Sequence, residues 1–155
     1  MAKLPALDPQ TLPEKRTSSY PEPFRSQVLP REKRALGDAF GLTRIGVNLT
    51  TLPSGKASSM RHWHTHEEEF IYVLSGEVVL CTDEGEQVLK AGTCAGFALG
   101  TTDGHQLVNR SGTPAVYLEI SNRDKADRAF YPDVDLQFHG AGAAVMFTRK
   151  DGSKF

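Results

Sequence analysis

This sequence of 155 residues has few cysteines and no excess of charge of either sign. Its two cysteines, Cys81 and Cys94, are too few for a disulfide framework and lack metal-site spacing, which is typical of a reducing compartment. We expect both to be small buried side chains. Eighteen basic and nineteen acidic residues give a net charge of -1, so the charge pattern of a nucleic-acid-binding protein is absent. We therefore expect no nucleic-acid partner.

The sequence also lacks long apolar runs. The first ten residues, MAKLPALDPQ, contain no apolar segment of signal-peptide length. No window approaches the roughly 18 apolar residues that span a bilayer. These absences predict a soluble, cytoplasmic protein without a membrane partner. The length and the hydrophobic content of 39% are typical of one globular domain that forms a core without disulfides.

Six of the nine prolines lie in the first thirty residues, where they disfavour both helix and central strand. The sequence predicts an extended Pro-rich arm over residues 1–40. Such an arm has little core of its own, and ordering it usually requires another surface. We expect a second subunit to supply that surface, which predicts a homodimer; a disordered tail is the alternative. The apolar residues to be covered are Tyr20, Phe24, Val28 and Leu29.

From Gly41 onwards the sequence consists of about eight short β-type runs separated by turn signals such as PSG, SGE and DEGE. No helix of ten residues or more is evident there, which favours an antiparallel sandwich or barrel. We place this all-β core at residues 41–123. Residues 124–155 form a C-terminal extension with room for one last strand near residues 145–149.

The stretch SSMRHWHTHEEEFIYVLSGEV carries three histidines and three consecutive glutamates. Residues two apart in a strand share a face, so His62 and His64 project together, as would His66 if the strand continued. Glu69 begins the next strand and shares a face with apolar residues, where an unpaired carboxylate is costly. A metal ligand is therefore a better interpretation of Glu69 than a bystander. A hydrated loop with chance polar clustering remains the alternative.

A second stretch, GTCAGFALGTTDGHQLVN, runs through glycine-rich turns to His105, the one other histidine within the β core. His62, His64, Glu69 and His105 are thus four candidate metal ligands. Tyr117 and Glu119 alternate on one face of AVYLEIS and are a candidate acid–base pair if that face lines the interior. His139 lies outside these stretches and is more typical of a surface residue.

The two stretches resemble the paired motifs of the cupin superfamily. The first motif has two histidines separated by one residue, three or four residues, a glutamate, six residues and a glycine. His62, His64, Glu69 and Gly76 match it, whereas a frame using His64 and His66 leaves too few residues before the glutamate. The second motif ends in a histidine, three residues and an asparagine, matched by His105 and Asn109 after Gly92 and Gly100.

The sequence departs from the second motif at two points that affect how the His105 side chain is oriented. Ala98 stands where the family has proline, and four residues rather than two separate Gly100 from His105. The loop that positions this histidine is therefore longer than the pattern. The resemblance covers the motifs from Gly55 to Asn109, and the strand pattern extends it to about Ser121.

The resemblance implies an antiparallel jelly-roll β-barrel with a metal near one open end and an apolar cavity around it. The implied cofactor is one divalent transition metal, and three imidazoles with one carboxylate suit Zn, Fe, Mn, Ni or Cu. The resemblance leaves two classes of function open. The protein is either a metalloenzyme acting on a small organic acid, sugar or aromatic diol by Lewis-acid or oxygen-activating chemistry, or a protein that binds or senses such a ligand unchanged. We favour the enzyme.

Overall fold

The computed structural model describes residues 5–140 and 146–155. Within them the chain is mostly β-strand, with two short helices, α1 (Phe24–Val28) and α2 (Leu36–Ala39). The strands are β1 (Glu32–Ala35), β2 (Ile45–Leu52), β3 (Trp63–His64), β4 (Glu69–Ser75), β5 (Glu77–Thr82), β6 (Gly85–Lys90), β7 (Cys94–Phe97), β8 (Gln106–Val108), β9 (Ala115–Asn122), β10 (Arg128–Phe130), β11 (Gln137–His139) and β12 (Met146–Thr148). The predicted all-β class is confirmed. None of the helices in the described residues is long and apolar enough to cross a membrane.

The described strands form three antiparallel sheets. The largest has the order β1-β2-β9-β4-β7, the second β12-β11-β10-β3 and the third β6-β5-β8. Their hydrogen-bonded pairs do not close into one continuous barrel within the described part of the chain. Two isolated bridges join the segment between β2 and β3 to β8 and to the residue directly before β8. They link Ala57 to Val108 and His62 to His105.

The alternation of β4 sets which face of the largest sheet is internal. Ile71 and Val73 are buried, whereas Phe70, Tyr72 and Leu74 are exposed. The inward residues join a core cluster made of Leu52, Ile71, Val73, Val78, Leu80, Leu89, Leu107, Ala115 and Tyr117. Because side chains two apart share a face, the same alternation turns Glu69 inward at the start of the strand.

The N-terminal arm packs on its own chain. Tyr20, Phe24 and Val28 are buried in a second core cluster with Met60, Ala129, Tyr131 and Leu136, and β1 pairs with β2 along its whole length. The expectation that another subunit is needed to cover these apolar residues is therefore wrong, because the second cluster already covers them. The homodimer and the division at residue 40 stay predictions.

The cysteines differ from expectation, whereas the last strand agrees with it. Cys94 is exposed and Cys81 is half-buried, so the expectation of two buried side chains is wrong. Cys94 lies opposite the exposed Tyr72 in the β4–β7 ladder, and cross-strand partners point to the same face of a sheet. The last strand, β12, lies where it was predicted, and residue 145 lies outside the described residues.

Candidate metal centre

A pair of backbone hydrogen bonds fixes how the two histidine segments face each other. The amide of His62 donates to the carbonyl of His105 at 3.1 Å, and the amide of His105 donates to the carbonyl of His62 at 2.8 Å. This bridge pairs the residue before β3 with the residue before β8. It brings the two imidazole rings within 4.9 Å of each other, centroid to centroid. The longer loop before His105 therefore still delivers its side chain to His62.

Arg61 holds that longer loop. Its guanidinium donates to Asp133 at 2.6 and 2.7 Å and to the carbonyl of Gly104 at 3.4 Å, and it pairs with Asp83. Gly104 directly precedes His105, and a Cβ at Gly104 would lie 3.3 Å from Nη1 of Arg61. The loop is thus anchored one residue before the histidine that it presents.

The structure brings all four predicted ligands to one carboxylate oxygen. Oε2 of Glu69 lies 2.6 Å from Nε2 of His105, 3.7 Å from Nε2 of His64 and 3.9 Å from Nε2 of His62. The ligand atoms of His62, Glu69 and His105 all lie within 4.8 Å of one another. Three imidazole nitrogens therefore surround a single carboxylate at the N-terminal end of β4.

Hydrogen bonds at the far side of two rings determine their tautomers. Nδ1 of His62 lies 2.8 Å from the carbonyl oxygen of Met60, and Nδ1 of His64 lies 2.6 Å from Oδ2 of Asp127. Both partners accept, so each Nδ1 carries the proton and donates it. When the ring is neutral, each Nε2 therefore presents a lone pair towards Glu69, which is the arrangement by which metal-binding histidines are oriented.

Asp127 is the member of this site that the sequence did not reveal. It is only 1% exposed, and its Oδ1 accepts hydrogen bonds from the amides of Thr65, His66 and Glu67 at 2.8–3.2 Å. It shapes the turn between β3 and β4 while it orients His64. A metal-binding histidine commonly has a carboxylate partner, but 63 residues separate the two in sequence and nothing in the pattern selects Asp127.

Burial and the charge cluster shift the titration of the site. Burial alone raises the pKa of Glu69, but the hydrogen bond with His105 and the neighbouring imidazoles outweigh it, so the pKa lies well below its usual value. Burial lowers the pKa of His62 to about 3. Burial also lowers the pKa of His64, but the hydrogen bond to Asp127 and the charge of Glu69 outweigh it and the net shift is upward. The site thus combines an ionised carboxylate with a neutral His62.

The donor set fits one divalent transition metal. Ligand nitrogens and oxygens lie about 2.1 Å from such an ion, which requires neighbouring ligand atoms to lie roughly 3 Å apart. The distances of 2.6, 3.7 and 3.9 Å around Glu69 Oε2 bracket that separation. Three imidazoles and one carboxylate suit several first-row metals, and four ligands leave room for a fifth or sixth.

Other polar residues of the first stretch lie outside this cluster. His66 is exposed and its imidazole contacts Thr65. Glu67 is half-buried, and burial raises the pKa of its carboxyl to about 7. It groups with His64 and Asp127, whereas the other three predicted ligands, His62, Glu69 and His105, form a group of their own. Since Asp127 Oδ2 already accepts from His64, this second group supports the ring of His64. His139 lies on β11, beside Arg128 of β10.

The site opens into an internal cavity of about 290 Å³. Tyr117 and Glu119 both line it, as the alternation of AVYLEIS predicts for an inward face. Tyr117 is fully buried, and its hydroxyl makes no hydrogen bond of normal length within residues 5–140 and 146–155; the hydroxyl of Thr50 on β2, also without a partner there, is close enough to oppose in small part the effect of burial on the pKa of Tyr117. Burial raises the pKa of Tyr117 far above its usual value, so the phenol remains a neutral donor. Phe97 closes one side by stacking on His105, with 3.6 Å between ring centroids.

The arm supplies cavity residues that sequence reasoning missed. Tyr20, Arg31 and Lys33 line the same cavity, and Nζ of Lys33 forms an ion pair with Oε1 of Glu119. Burial lowers the pKa of Lys33, while the charge of Glu119 opposes that shift. β1 places Lys33 opposite Thr50 of β2, and Thr50 lies opposite Tyr117 of β9. This side of the cavity is formed by the pairing of strands that lie more than eighty residues apart. No local sequence pattern predicts it.

Comparisons with known proteins bear on the fold. The family described as the cupin domain matches residues 48–121. Among solved structures, one from Silicibacter pomeroyi is described as a sugar phosphate isomerase from a cupin superfamily. It is 39% identical to this chain, the match covers 97% of this chain and 96% of that chain, and the TM-score is 0.92. None of the curated proteins gives a significant match.

Two more distant structures are also similar. A proposed sugar phosphate isomerase from Acidithiobacillus ferrooxidans is 28% identical over 81% of this chain and 80% of that chain, with a TM-score of 0.72. The polyketide cyclase RemF from Streptomyces resistomycificus is 18% identical over 79% of this chain and 80% of that chain, with a TM-score of 0.64; this likeness concerns the fold alone. The predicted jelly-roll type of fold is confirmed by these matches.

Proposed function

This chain belongs to the cupin superfamily, and from that premise we propose that it is a metal-dependent enzyme acting on a small oxygenated molecule. His62, His64, Glu69 and His105 hold one divalent transition metal. The observation that carries the proposal is the convergence of three imidazole nitrogens on Glu69 Oε2, inside a cavity that also contains Glu119. A ligand set alone binds a metal, whereas a ligand set beside a positioned carboxylate and phenol can also move protons.

We further propose that the reaction is an isomerisation of a hydroxycarbonyl compound such as an aldose or a ketose. The 39% identical structure described as a sugar phosphate isomerase supports this choice. The cavity supports it as well, because about 290 Å³ accommodates a small polar molecule. A bound divalent cation would supply Lewis-acid polarisation of the substrate carbonyl.

Glu119 is the group that moves the carbon-bound proton. It takes a proton from the carbon next to the carbonyl and returns it to the former carbonyl carbon, while the hydroxyl proton on the first carbon moves to the carbonyl oxygen in the same sense. Substrate and product then have the same atoms, and no oxidant is consumed. The ion pair with Lys33 fixes the position of the Glu119 carboxylate in the cavity.

Tyr117 and Phe97 shape the reaction space. The Tyr117 hydroxyl is buried without a partner in the described residues, and such a donor gains most when a substrate oxygen completes its hydrogen bond. Phe97 stacks on His105 and restricts water on that side of the ligand cluster. Exclusion of water strengthens the electrostatic interactions inside the cavity.

The direct test is exchange of substrate hydrogen with solvent. Protein loaded separately with Mn, Fe, Ni and Zn is incubated with a panel of aldoses, ketoses and their phosphates in deuterated water, and deuterium at the carbon next to the carbonyl is measured by NMR. We expect metal-dependent interconversion with deuterium incorporation. Glu119→Gln should abolish exchange and keep the metal, while the exposed Glu68→Gln serves as the matched control.

Two results would overturn this proposal. Oxygen uptake or carbon dioxide release without isomerisation would place the protein in another reaction class. Saturable binding of a sugar that is recovered unchanged and undeuterated with every metal would identify a binding protein.

A further inference from the structure

Arg31 is a cavity residue whose charge has no carboxylate partner in the described part of the chain. It lies just before β1, is half-buried and lines the cavity that contains Glu69 and Glu119. Its Nη1 donates to the carbonyl of Ser58. Its Nε is buried without a hydrogen-bond partner among residues 5–140 and 146–155. Lys33, by contrast, is paired with Glu119.

The charges of the cavity leave room for an anion. Its lining contains two cationic side chains, Arg31 and Lys33, and two carboxylates, Glu69 and Glu119. These balance before any metal is counted, and Asp127 adds one negative charge against His64, so a divalent cation at the histidine cluster leaves the site positive by about one charge. A buried excess of charge is costly unless it is paired. The missing counter-charge therefore has to arrive with the bound molecule.

The chemistry of the guanidinium decides what kind of anion fits. Arginine presents five N–H donors in a rigid fork that matches the oxygens of a phosphate or a carboxylate. The contact with Ser58 uses one edge of that fork, and Nε is a buried donor on another. A neutral sugar hydroxyl would satisfy a single donor and leave the charge uncompensated.

We propose that Arg31 binds an oxyanion group of the substrate, a phosphate or a carboxylate, and thereby determines substrate specificity. The proposal rests on the proposed function in one respect: the anionic molecule occupies the same cavity as the histidine cluster. It adds that the substrate is charged and that the N-terminal arm, rather than the core motifs, recognises the charge. Arg31 is a binding residue here, and Glu119 remains the proton carrier.

The first measurement uses metal-free protein, so that binding does not depend on the histidine site. Inorganic phosphate is titrated into it by calorimetry, at low ionic strength. We expect saturable binding that Arg31→Gln weakens by about 10- to 100-fold, as expected for loss of a hydrogen bond between charged groups. Arg31→Lys should retain part of the affinity. Arg34→Gln is the matched control, because Arg34 lies three residues further along on β1, also has a buried Nε without a partner in the described residues, and pairs with Glu14.

The second measurement compares neutral and charged ligands on zinc-loaded protein. Ribose 5-phosphate, glucuronate and ribose are titrated into the wild type and the Arg31 variants. We expect one of the two anions to bind at least about 10-fold more tightly than ribose, and Arg31→Gln to remove that advantage. The comparison of ribose 5-phosphate with glucuronate identifies the preferred oxyanion. Thermal unfolding of each variant without ligand controls for loss of the fold.

The outcomes separate this inference from the proposed function. Equal binding of ribose and of both anions, or an anion preference that survives Arg31→Gln in folded protein, overturns the role of Arg31 even if isomerisation is observed. Arg31-dependent anion binding without deuterium exchange for any metal overturns the isomerase and leaves the anion site standing.

Discussion

The imidazole of His64 donates its Nδ1 proton to Oδ2 of Asp127 across 2.6 Å, while the other oxygen of Asp127 accepts three backbone amides of the β3–β4 turn. One buried carboxylate therefore determines both the tautomer of His64 and the path of the chain that follows it.

Asp127→Asn should weaken metal binding by about 10- to 100-fold, the usual effect of losing the partner of a ligating histidine. The amide offers an N–H group where His64 needs an acceptor, so the ring loses its fixed tautomer. Competition with a chelating dye measures the affinity. Asp135→Asn, which changes an exposed side chain bonded to the amide of Lys150, is the control; equal affinity for both variants would contradict the role of Asp127.

His64→Ala should reduce the metal content to near zero, whereas His66→Ala should leave most of it. His64 Nε2 lies 3.7 Å from Glu69 Oε2, and His66 is exposed and contacts Thr65. Elemental analysis of protein purified without chelator measures the stoichiometry. Equal losses in the two variants would mean that the histidine frame is wrong.

Arg61→Gln should release the loop that precedes His105. We expect a loss of about 1 kcal/mol in the free energy of unfolding, because the two carboxylates that pair with Arg61 are half exposed, together with weaker metal binding. Urea unfolding and metal titration measure the two effects. Arg110→Gln removes a similar pair with Glu86 on the surface and should leave metal binding unchanged. Normal metal affinity in Arg61→Gln would show that the loop positions His105 without this anchor.

Phe24→Ala should lower the free energy of unfolding by about 3 kcal/mol, because the side chain is buried in the second core cluster. Phe40→Ala, at a residue 46% exposed, should cost much less. Chemical unfolding at two protein concentrations also tests the predicted homodimer, since a dimer is stabilised by mass action. A large concentration dependence that Phe24→Ala abolishes would indicate that the arm also contributes to a subunit interface.

Tyr117→Phe should leave the stability unchanged or raise it by up to about 1 kcal/mol, because the hydroxyl is buried without a partner in the described residues. Turnover of the substrate should fall, since the donor to the substrate oxygen is removed. Thermal unfolding and the deuterium-exchange assay measure the two effects on the same preparations. A destabilised but fully active variant would assign the hydroxyl to the core instead.

The sequence determined the parts of this protein that depend on local geometry. The alternation of β4 predicted that Glu69 faces inward, and the alternation of β9 predicted that Tyr117 and Glu119 share one face, because successive side chains in a strand point to opposite faces. Gly76 was predicted as a turn residue from the signal SGE. Its φ is +73°, and a Cβ there would lie 2.8 Å from the carbonyl oxygen of Pro114. The spacing of His62 and His64 likewise predicted that their side chains lie together, and their ring centroids are 4.8 Å apart.

Only the tertiary structure decided which distant groups meet at the site. His105 is delivered by a backbone bridge to His62, Asp127 approaches His64 from 63 residues away, and β1 brings Lys33 to Glu119 across 86 residues. The arm appeared to need a second subunit because its apolar residues have no partners nearby in sequence. Contacts between residues so far apart produce no periodic pattern in the sequence from which they could be predicted. The register between strands depends on the burial of whole faces and on the turns that join the strands.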